Sequence, residues 1–168
     1  LPEGMTGSIS TLPLAWGDPP LPAETRQAAA VQLRAVADVL ANVNESTGRE
    51  IHLAIEPEPG CELQRSEDLV RFFQDDLLLG VDSKTEDRVR RYLRICHDVC
   101  HAAVMFESQE EVLQRFRSAG IRIGKVQVSS AMQMPLMDMS QGDRAAALEQ
   151  LAGVSEPRYL HQTVVQTA

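Results

Sequence analysis

Strand-like and helix-like segments alternate five times along the 168 residues of this chain. Regular alternation of this kind is typical of βαβ units, in which neighbouring strands are parallel and joined by right-handed crossovers. The predicted strands are residues 5–15 (a strand and turn), 51–56, 93–98, 121–129 and 159–165. The predicted helices are residues 25–44, 66–79, 85–92, 108–120 and 143–151.

Two α/β architectures fit five such units. One is an open, doubly wound parallel sheet, which matches the chain length best. The other is a (β/α)8 TIM barrel, which needs ~250 residues, so that residues 1–168 would be a single domain supplying only part of it. The spacing alone does not decide between them, and the residues at the strand ends bear on the choice.

The strand predicted at 51–56 ends in an acid. Aliphatic and more polar residues alternate along it, as in a strand with one apolar face. Pro57 ends the strand because it cannot donate to a ladder, which leaves Glu56 as the last residue, opposite the aliphatic side chains. A carboxylate buried there must be paired, protonated or bound to a cation. A salt bridge across a barrel mouth or a helix cap is the purely structural alternative.

The next two predicted strands add polar residues to the same face. Ile95 should pack against the helices, which leaves Asp98 pointing inward at the carboxyl end of its strand. Val126 and Val128 should likewise take the helix side of the fourth strand. Lys125, Gln127 and Ser129 then face inward, where either a ligand or a hydrogen-bonded, hydrated interior would explain them.

The last predicted strand contributes an imidazole, because the same alternation turns His161 inward. Four successive strands would therefore offer a polar group at matching depth: Glu56, Asp98, Gln127 and His161. Carboxylate, amide and imidazole ligands together suit a divalent metal ion such as Mn²⁺, Mg²⁺, Co²⁺ or Zn²⁺.

The three cysteines, Cys61, Cys96 and Cys100, do not indicate a cysteine-ligated zinc. The C-x3-C spacing lacks a second cysteine pair, and a free cysteine is commonly a buried small hydrophobe. An odd cysteine number in a chain of this length favours a reducing, cytoplasmic setting.

Charge and hydropathy narrow the expected partners. The net charge of −8 argues against nucleic acid, since phosphate binding needs clustered Lys and Arg. No apolar run approaches the ~20 residues that span a membrane. We therefore expect a small-molecule partner.

Two short motifs resemble a known family. The run Glu56-Pro57-x-x-x-x-Glu62 is similar to the E-P-x-N-x-x-E run of the xylose-isomerase-like TIM barrels (sugar phosphate isomerases and epimerases), especially the ketose 3-epimerases. Asp98-Val99-Cys100-His101 is similar to their D-x-x-H. The resemblance implies a (β/α)8 barrel whose fifth to eighth strands each carry a metal ligand, with Glu56 and Asp98 as the first two. It also implies that Glu62 and His101 contact substrate hydroxyls.

The resemblance further implies a reaction. In these epimerases paired glutamates move a proton at the carbon beside a carbonyl, while the metal holds the enediolate. Here Lys125-Val126-Gln127 stands where the family has H-x-H, and His161 or Gln162 stands where it has the second Glu. We expect Glu56 and His161 to be the catalytic pair, because imidazole titrates near neutrality. Trp16 and Lys125 are predicted to line the substrate pocket.

Five separated runs resemble the EboE family of metabolite-traffic proteins: GSISTLPLAW, EPEPGCEL, CHDVCHAAVMFE, GKVQVSSA and EPRYLHQTVV. That family is a xylose-isomerase-like barrel implicated in moving or processing a small metabolite. The resemblance implies that this chain holds about strands 4 to 8, the C-terminal part of the barrel. A half-closed barrel exposes two strand edges, which favours pairing in a homo-oligomer or with the remainder of a longer chain.

Two functions follow as expectations. The first is a metal-dependent isomerase or epimerase acting on a small sugar-like or polyhydroxylated metabolite. The alternative is a non-catalytic metabolite-binding or carrier protein that retains the barrel pocket, because the family His and second Glu are both replaced.

Overall fold

The computed structural model describes residues 1–2, 4–153, 156 and 162–166. A parallel sheet of four strands forms its centre. The strands are β1 (Thr6–Thr11), β2 (Glu50–Ile55), β3 (Leu93–Asp98) and β4 (Ile123–Gln127). The helices are α1 (Ala23–Thr47), α2 (Ser66–Arg71), α3 (Ser83–Tyr92), α4 (Val99–Val104), α5 (Gln109–Ser118) and α6 (Gln141–Gly153). One π-helical turn (Phe72–Leu77) and one 3-10 turn (Leu136–Asp138) complete the described elements.

The strands are hydrogen-bonded in chain order, and all three pairings are parallel. The sheet curls so strongly that the Lys125 ammonium of β4 donates to the Ser10 hydroxyl of β1 at 2.8 Å. In a doubly wound sheet the strand order reverses at a switch point. The four described strands show no such reversal. The chain therefore forms a curled parallel half-barrel, and the predicted α/β class with a parallel sheet is confirmed.

The hydrophobic core lies between the outer face of this sheet and the helices. Ile55 and Ile95, at equivalent positions of β2 and β3, are both fully buried in it. Helix α1 lies close to the sheet because it presents small side chains such as Ala30 and Ala37. Full burial of a large apolar side chain contributes about 1.5–3 kcal/mol, so this layer fixes the positions of the strand ends.

Helix ends follow local sequence signals. Ser108 caps α5 by accepting from the Glu111 N–H at 3.5 Å, as its capping-box sequence predicts. Gly48 after α1 and Gly120 after α5 adopt φ of 67° and 68°, the left-handed conformation that favours glycine.

The helix predicted at 66–79 changes type partway. It continues beyond Arg71 as a π-helical turn, in which the carbonyl oxygens of Asp76 and Leu77 accept from the Arg34 guanidinium of α1. These are among the last carbonyls of the helix, which lack intrahelical donors, so Arg34 caps this end. The sequence of this segment alone does not contain that donor.

The structure differs from prediction at β4 and at the last strand. Strand β4 ends at Gln127, and Val126 and Val128, predicted to face helices, are 53% and 90% exposed because the described chain leaves that face largely uncovered. Residues 159–161 of the predicted last strand lie outside the described residues, and residues 162–165 are not in a strand. The Gln162 side chain instead donates to Glu58 at the end of β2, which holds this segment over the rim of the sheet.

None of the described helices is long and apolar enough to cross a membrane.

Candidate metal and substrate site at the carboxyl ends of the strands

The site lies where three neighbouring strands end. Glu56 follows β2 directly and its backbone N–H donates to Thr11 at 3.2 Å. Asp98 is the last residue of β3, and Gln127 is the last residue of β4. Because the strands are parallel, their carboxyl ends form one rim, and the register pairs Asp98 with Gln127.

One amide group connects the two acids. The Gln127 Nε2 donates to Glu56 Oε1 at 2.7 Å and to Asp98 Oδ2 at 2.8 Å. Both carboxylate oxygens therefore lie within one hydrogen-bond length of the same nitrogen. The structure thus brings together three of the four residues predicted as metal ligands.

The fourth predicted ligand, His161, lies outside the described residues. Its neighbour Gln162 is described, and its side chain donates to Glu58 at 3.1 Å and lies 3.3 Å from His101.

Asp98 is 8% exposed and accepts several hydrogen bonds. Its Oδ1 caps α4 through the N–H groups of Cys100 at 2.8 Å and His101 at 3.3 Å, and it accepts from the Ser129 hydroxyl at 2.7 Å. Burial by itself would raise the pKa of Asp98. The Ser129 hydrogen bond, the charge of His101 and the Gln127 amide outweigh it and hold that pKa below its ordinary value.

Lys125 sets the orientation of the bridging amide. Its Nζ donates to Gln127 Oε1 at 2.9 Å, which leaves the amide NH₂ to face the two carboxylates. Lys125 points inward, as predicted. Its ammonium donates to the same amide group that joins the two carboxylates.

His101 lies in the first turn of α4, beside Glu56. Its Nδ1 lies 3.1 Å from the Pro57 carbonyl oxygen and 3.4 Å from Glu56 Oε1. With Nδ1 protonated, the ring donates to Pro57, and Nε2 accepts from Gln162. His101 therefore holds the β2 and α4 ends of the rim together and can present a proton to the site.

Cys100 is a site residue that the sequence analysis interpreted as a buried thiol and not as a metal ligand. It is half-buried, and its Sγ, a carboxylate oxygen of Asp98 and a ring nitrogen of His101 all lie within 4.8 Å of one another. Burial raises the pKa of the Cys100 thiol, against a lowering effect of the Ser129 hydrogen bond. The D-x-C-H spacing, which places all three side chains at one helix start, is the signal that could have found it.

The other two cysteines are more deeply buried. Cys96 faces the inner side of the sheet, where burial and the Glu56 charge raise the pKa of its thiol to about 11. Burial and the charge of Glu58 likewise raise the pKa of Cys61 to about 11. Neither thiol belongs to the described cluster of metal-ligating types at Asp98.

Glu62 and Trp16 lie in the loops after β2 and β1. The Glu62 carboxylate accepts from the Leu21 N–H at 3.0 Å and lies 3.9 Å from the Arg26 guanidinium. Trp16 forms an isolated antiparallel bridge with Cys61, and its side chain is 57% exposed. Both residues tie the two loops together, and their contact with a substrate stays a prediction.

The donor set at this rim fits a divalent cation. Two carboxylates converge on one neutral amide group, and an amide carries no charge to offset theirs. Rotation of the Gln127 amide would present its oxygen in place of its NH₂ and give three oxygen ligands at one point, but it requires Lys125 to give up its hydrogen bond to that oxygen. Imidazole and thiol groups lie at the edge of the same cluster.

No protein-family model matches the chain, and no curated protein matches it either.

Proposed function

We propose that this protein is a metal-dependent isomerase or epimerase that acts on a small sugar-like or polyhydroxylated metabolite. In this proposal the half-barrel is an arc of a xylose-isomerase-like (β/α)8 barrel, as the resemblance to the EboE family implies. The single observation that carries the proposal is the convergence of Glu56 and Asp98 on the amide nitrogen of Gln127 at 2.7 and 2.8 Å.

Glu56, Asp98 and Gln127 would hold the divalent ion. When bound, such an ion polarises a substrate carbonyl and so makes the neighbouring C–H more acidic. A Glu has two carboxylate oxygens, so Glu56 can face the ion with one and remove the substrate proton with the other.

The remaining residues would bind and orient the substrate. His101 lies 3.4 Å from Glu56 and can donate to a substrate hydroxyl beside the base. The Lys125 ammonium fixes the amide that faces both acids. His161 stays the proposed second base, and it lies outside the described residues.

A second candidate, a metabolite-binding or carrier protein, is favoured by a different observation. Asp98 already accepts hydrogen bonds from Gln127, Ser129 and two backbone N–H groups. A carboxylate with that many donors is satisfied without an ion. In that case the rim would be a pre-formed polar pocket for hydroxyl groups, without proton transfer.

Solvent exchange separates the two functions. Candidate ketoses are incubated with the protein and Mn²⁺ in D₂O, and deuterium at the carbon beside the carbonyl is followed by NMR. The isomerase proposal predicts exchange that Glu56→Gln abolishes, while the surface control Glu110→Gln retains it. Binding of a ketose without deuterium incorporation would contradict the isomerase and support the carrier.

A further inference from the structure

We infer that the thiolate of Cys100 joins Asp98 and His101 as a ligand of the divalent ion, so that the site takes a thiophilic cation of the zinc class. This inference rests on the proposed function, because it specifies the cation of the same site.

The backbone places both new ligands next to the acid. Cys100 and His101 lie in the first turn of α4, and their N–H groups donate to Asp98 Oδ1 at 2.8 and 3.3 Å. This cap orders the start of α4 in the absence of a ligand. Little conformational entropy is then lost when the side chains close on an ion.

The separations fit a zinc site after small side-chain rotations. The ligand atoms of Asp98, Cys100 and His101 lie within 4.8 Å of one another. In a tetrahedral zinc site with bonds of about 2.0–2.3 Å, neighbouring ligand atoms are about 3.3–3.8 Å apart. The difference is at most about 1–1.5 Å per pair of ligand atoms, which side-chain rotation would have to close.

The thiol lies close to two other possible ligands. Its Sγ is within 4.8 Å of a carboxylate oxygen of Asp98 and of a ring nitrogen of His101. Glu56 Oε1 lies 3.4 Å from His101 Nδ1 and offers a fourth ligand once that nitrogen releases its proton and its hydrogen bond to Pro57. The combined set is one sulfur, one nitrogen and two carboxylate oxygens.

Ligand type determines which ion such a set prefers. Thiolate and imidazole select Zn²⁺ and its spectroscopic substitute Co²⁺, whereas Mg²⁺ prefers oxygen ligands and retained water. Of the four ions that the sequence suggests, the geometry at Cys100 thus favours Zn²⁺ and Co²⁺. The thiol proton is released to solvent when the ion binds.

Cobalt substitution tests the thiolate directly, without an assay of activity. The metal-free protein is titrated with Co²⁺, and the near-ultraviolet absorption is followed for a sulfur-to-cobalt charge-transfer band. We expect the band in the wild-type protein and in the matched control Cys61→Ser, and its loss in Cys100→Ser. Zn²⁺ should bleach the band by competition. The Cys100→Ser change should weaken Zn²⁺ binding by more than the roughly 10- to 100-fold that an outer-shell change costs.

A measurement on the wild-type protein tests the thiolate ligand without relying on a variant that could misfold. X-ray absorption at the zinc edge of the loaded protein should contain a Zn–S distance of about 2.3 Å. Bound Co²⁺ without a charge-transfer band, or a band that survives in Cys100→Ser, would overturn the thiolate ligand and leave the oxygen-ligated ion of the proposed function in place. Failure of the wild-type protein to bind Co²⁺ and Zn²⁺ at all would overturn both.

Discussion

Two polar clusters lie at opposite ends of the inner face of the sheet, and their charges differ. The lower cluster lies at the amino ends of the strands and the upper cluster at their carboxyl ends. At the lower end, the single carboxylate of Glu50 meets two guanidinium groups, Arg91 at 2.7 Å and Arg94 at 2.6 Å. At the upper end, two carboxylates, Glu56 and Asp98, share the neutral amide of Gln127. No guanidinium contacts those two acids within the described part of the chain.

The comparison distinguishes a structural cluster from a candidate binding site. The hydrogen bond from Arg91 lowers the pKa of Glu50, against the effect of burial and with the help of Arg94, so the carboxylate charge of the lower cluster is more than offset by its two guanidinium groups. The upper cluster holds its acids mainly with amide, hydroxyl and backbone N–H donors, while the Lys125 ammonium lies behind the amide and the His101 ring lies 3.4 Å from Glu56. Under the proposed function, an added cation would therefore meet two carboxylates without a guanidinium partner at the upper cluster, and an excess of guanidinium groups at the lower one.

The largest difference should follow from Asp98→Ala. This change removes the cap of α4, leaves the Ser129 hydroxyl without its acceptor and takes one of its two acceptors from the Gln127 NH₂ group. We expect a loss of about 2–4 kcal/mol in the free energy of unfolding, together with loss of divalent-ion binding. Urea denaturation and metal titration measure the two effects. Unchanged metal affinity would show that the upper cluster is structural.

At the lower cluster, Glu50→Gln should change stability alone. Arg94 is mostly buried but Arg91 is half-exposed, so we expect a loss of about 1–2 kcal/mol. Metal affinity should equal that of the wild-type protein in the same titration. A fall in affinity would mean that the two ends of the sheet are not independent.

The upper cluster can also be strengthened. Gln127→His introduces the imidazole that the resemblance places on this strand, beside the same two acids. We expect binding of Zn²⁺ or Co²⁺ to tighten by about tenfold, or ~1.4 kcal/mol. Competition with a chromogenic chelator reports the change. The control Gln114→His, on the surface of α5, should leave the affinity as it is.

The weakest effect that we expect is a pH dependence of stability due to His52. This side chain is 3% exposed, and its Nε2 lies 3.0 Å from the Gly124 carbonyl oxygen. Within the described residues its Nδ1 lacks a hydrogen-bond partner. Burial lowers the pKa of His52 below its ordinary 6.5, so the unfolded chain takes up the proton first. Stability due to this group is therefore present above about pH 6.5 and lost as the pH falls towards the folded-state pKa.

His52→Gln should remove that part of the pH dependence. Unfolding curves at about pH 7.5 and about pH 5.5 should differ less for the variant than for the wild-type protein. An equal difference in both proteins would show that other groups cause the acid sensitivity.

Much of the upper cluster could be predicted because two simple rules determine it. Alternation along a strand assigns each side chain to a face, and parallel strands end at one rim. These rules place Glu56, Asp98 and Gln127 on the same side, and the structure joins them through one amide. The core positions Ile55 and Ile95 follow from the same alternation.

The rest depends on contacts between distant segments. The end of the π-helical turn accepts from a guanidinium of α1, and the Glu62 carboxylate accepts from the loop after β1. Strand β4 has an irregular register against β3, where Gly124 is the unpaired residue. A Cβ there would overlap the His52 imidazole. None of these partners is near in sequence, so local pattern does not contain them.

Diffraction gives the most decisive evidence on whether Glu56 and Asp98 hold a divalent ion between them. Crystals of the protein loaded with Zn²⁺ or Co²⁺ would be measured above and below the absorption edge of the metal. We expect an anomalous peak about 2.0–2.2 Å from a carboxylate oxygen of each acid. A loaded crystal with no peak at this rim, or with the two carboxylates still joined through the Gln127 amide, would contradict it.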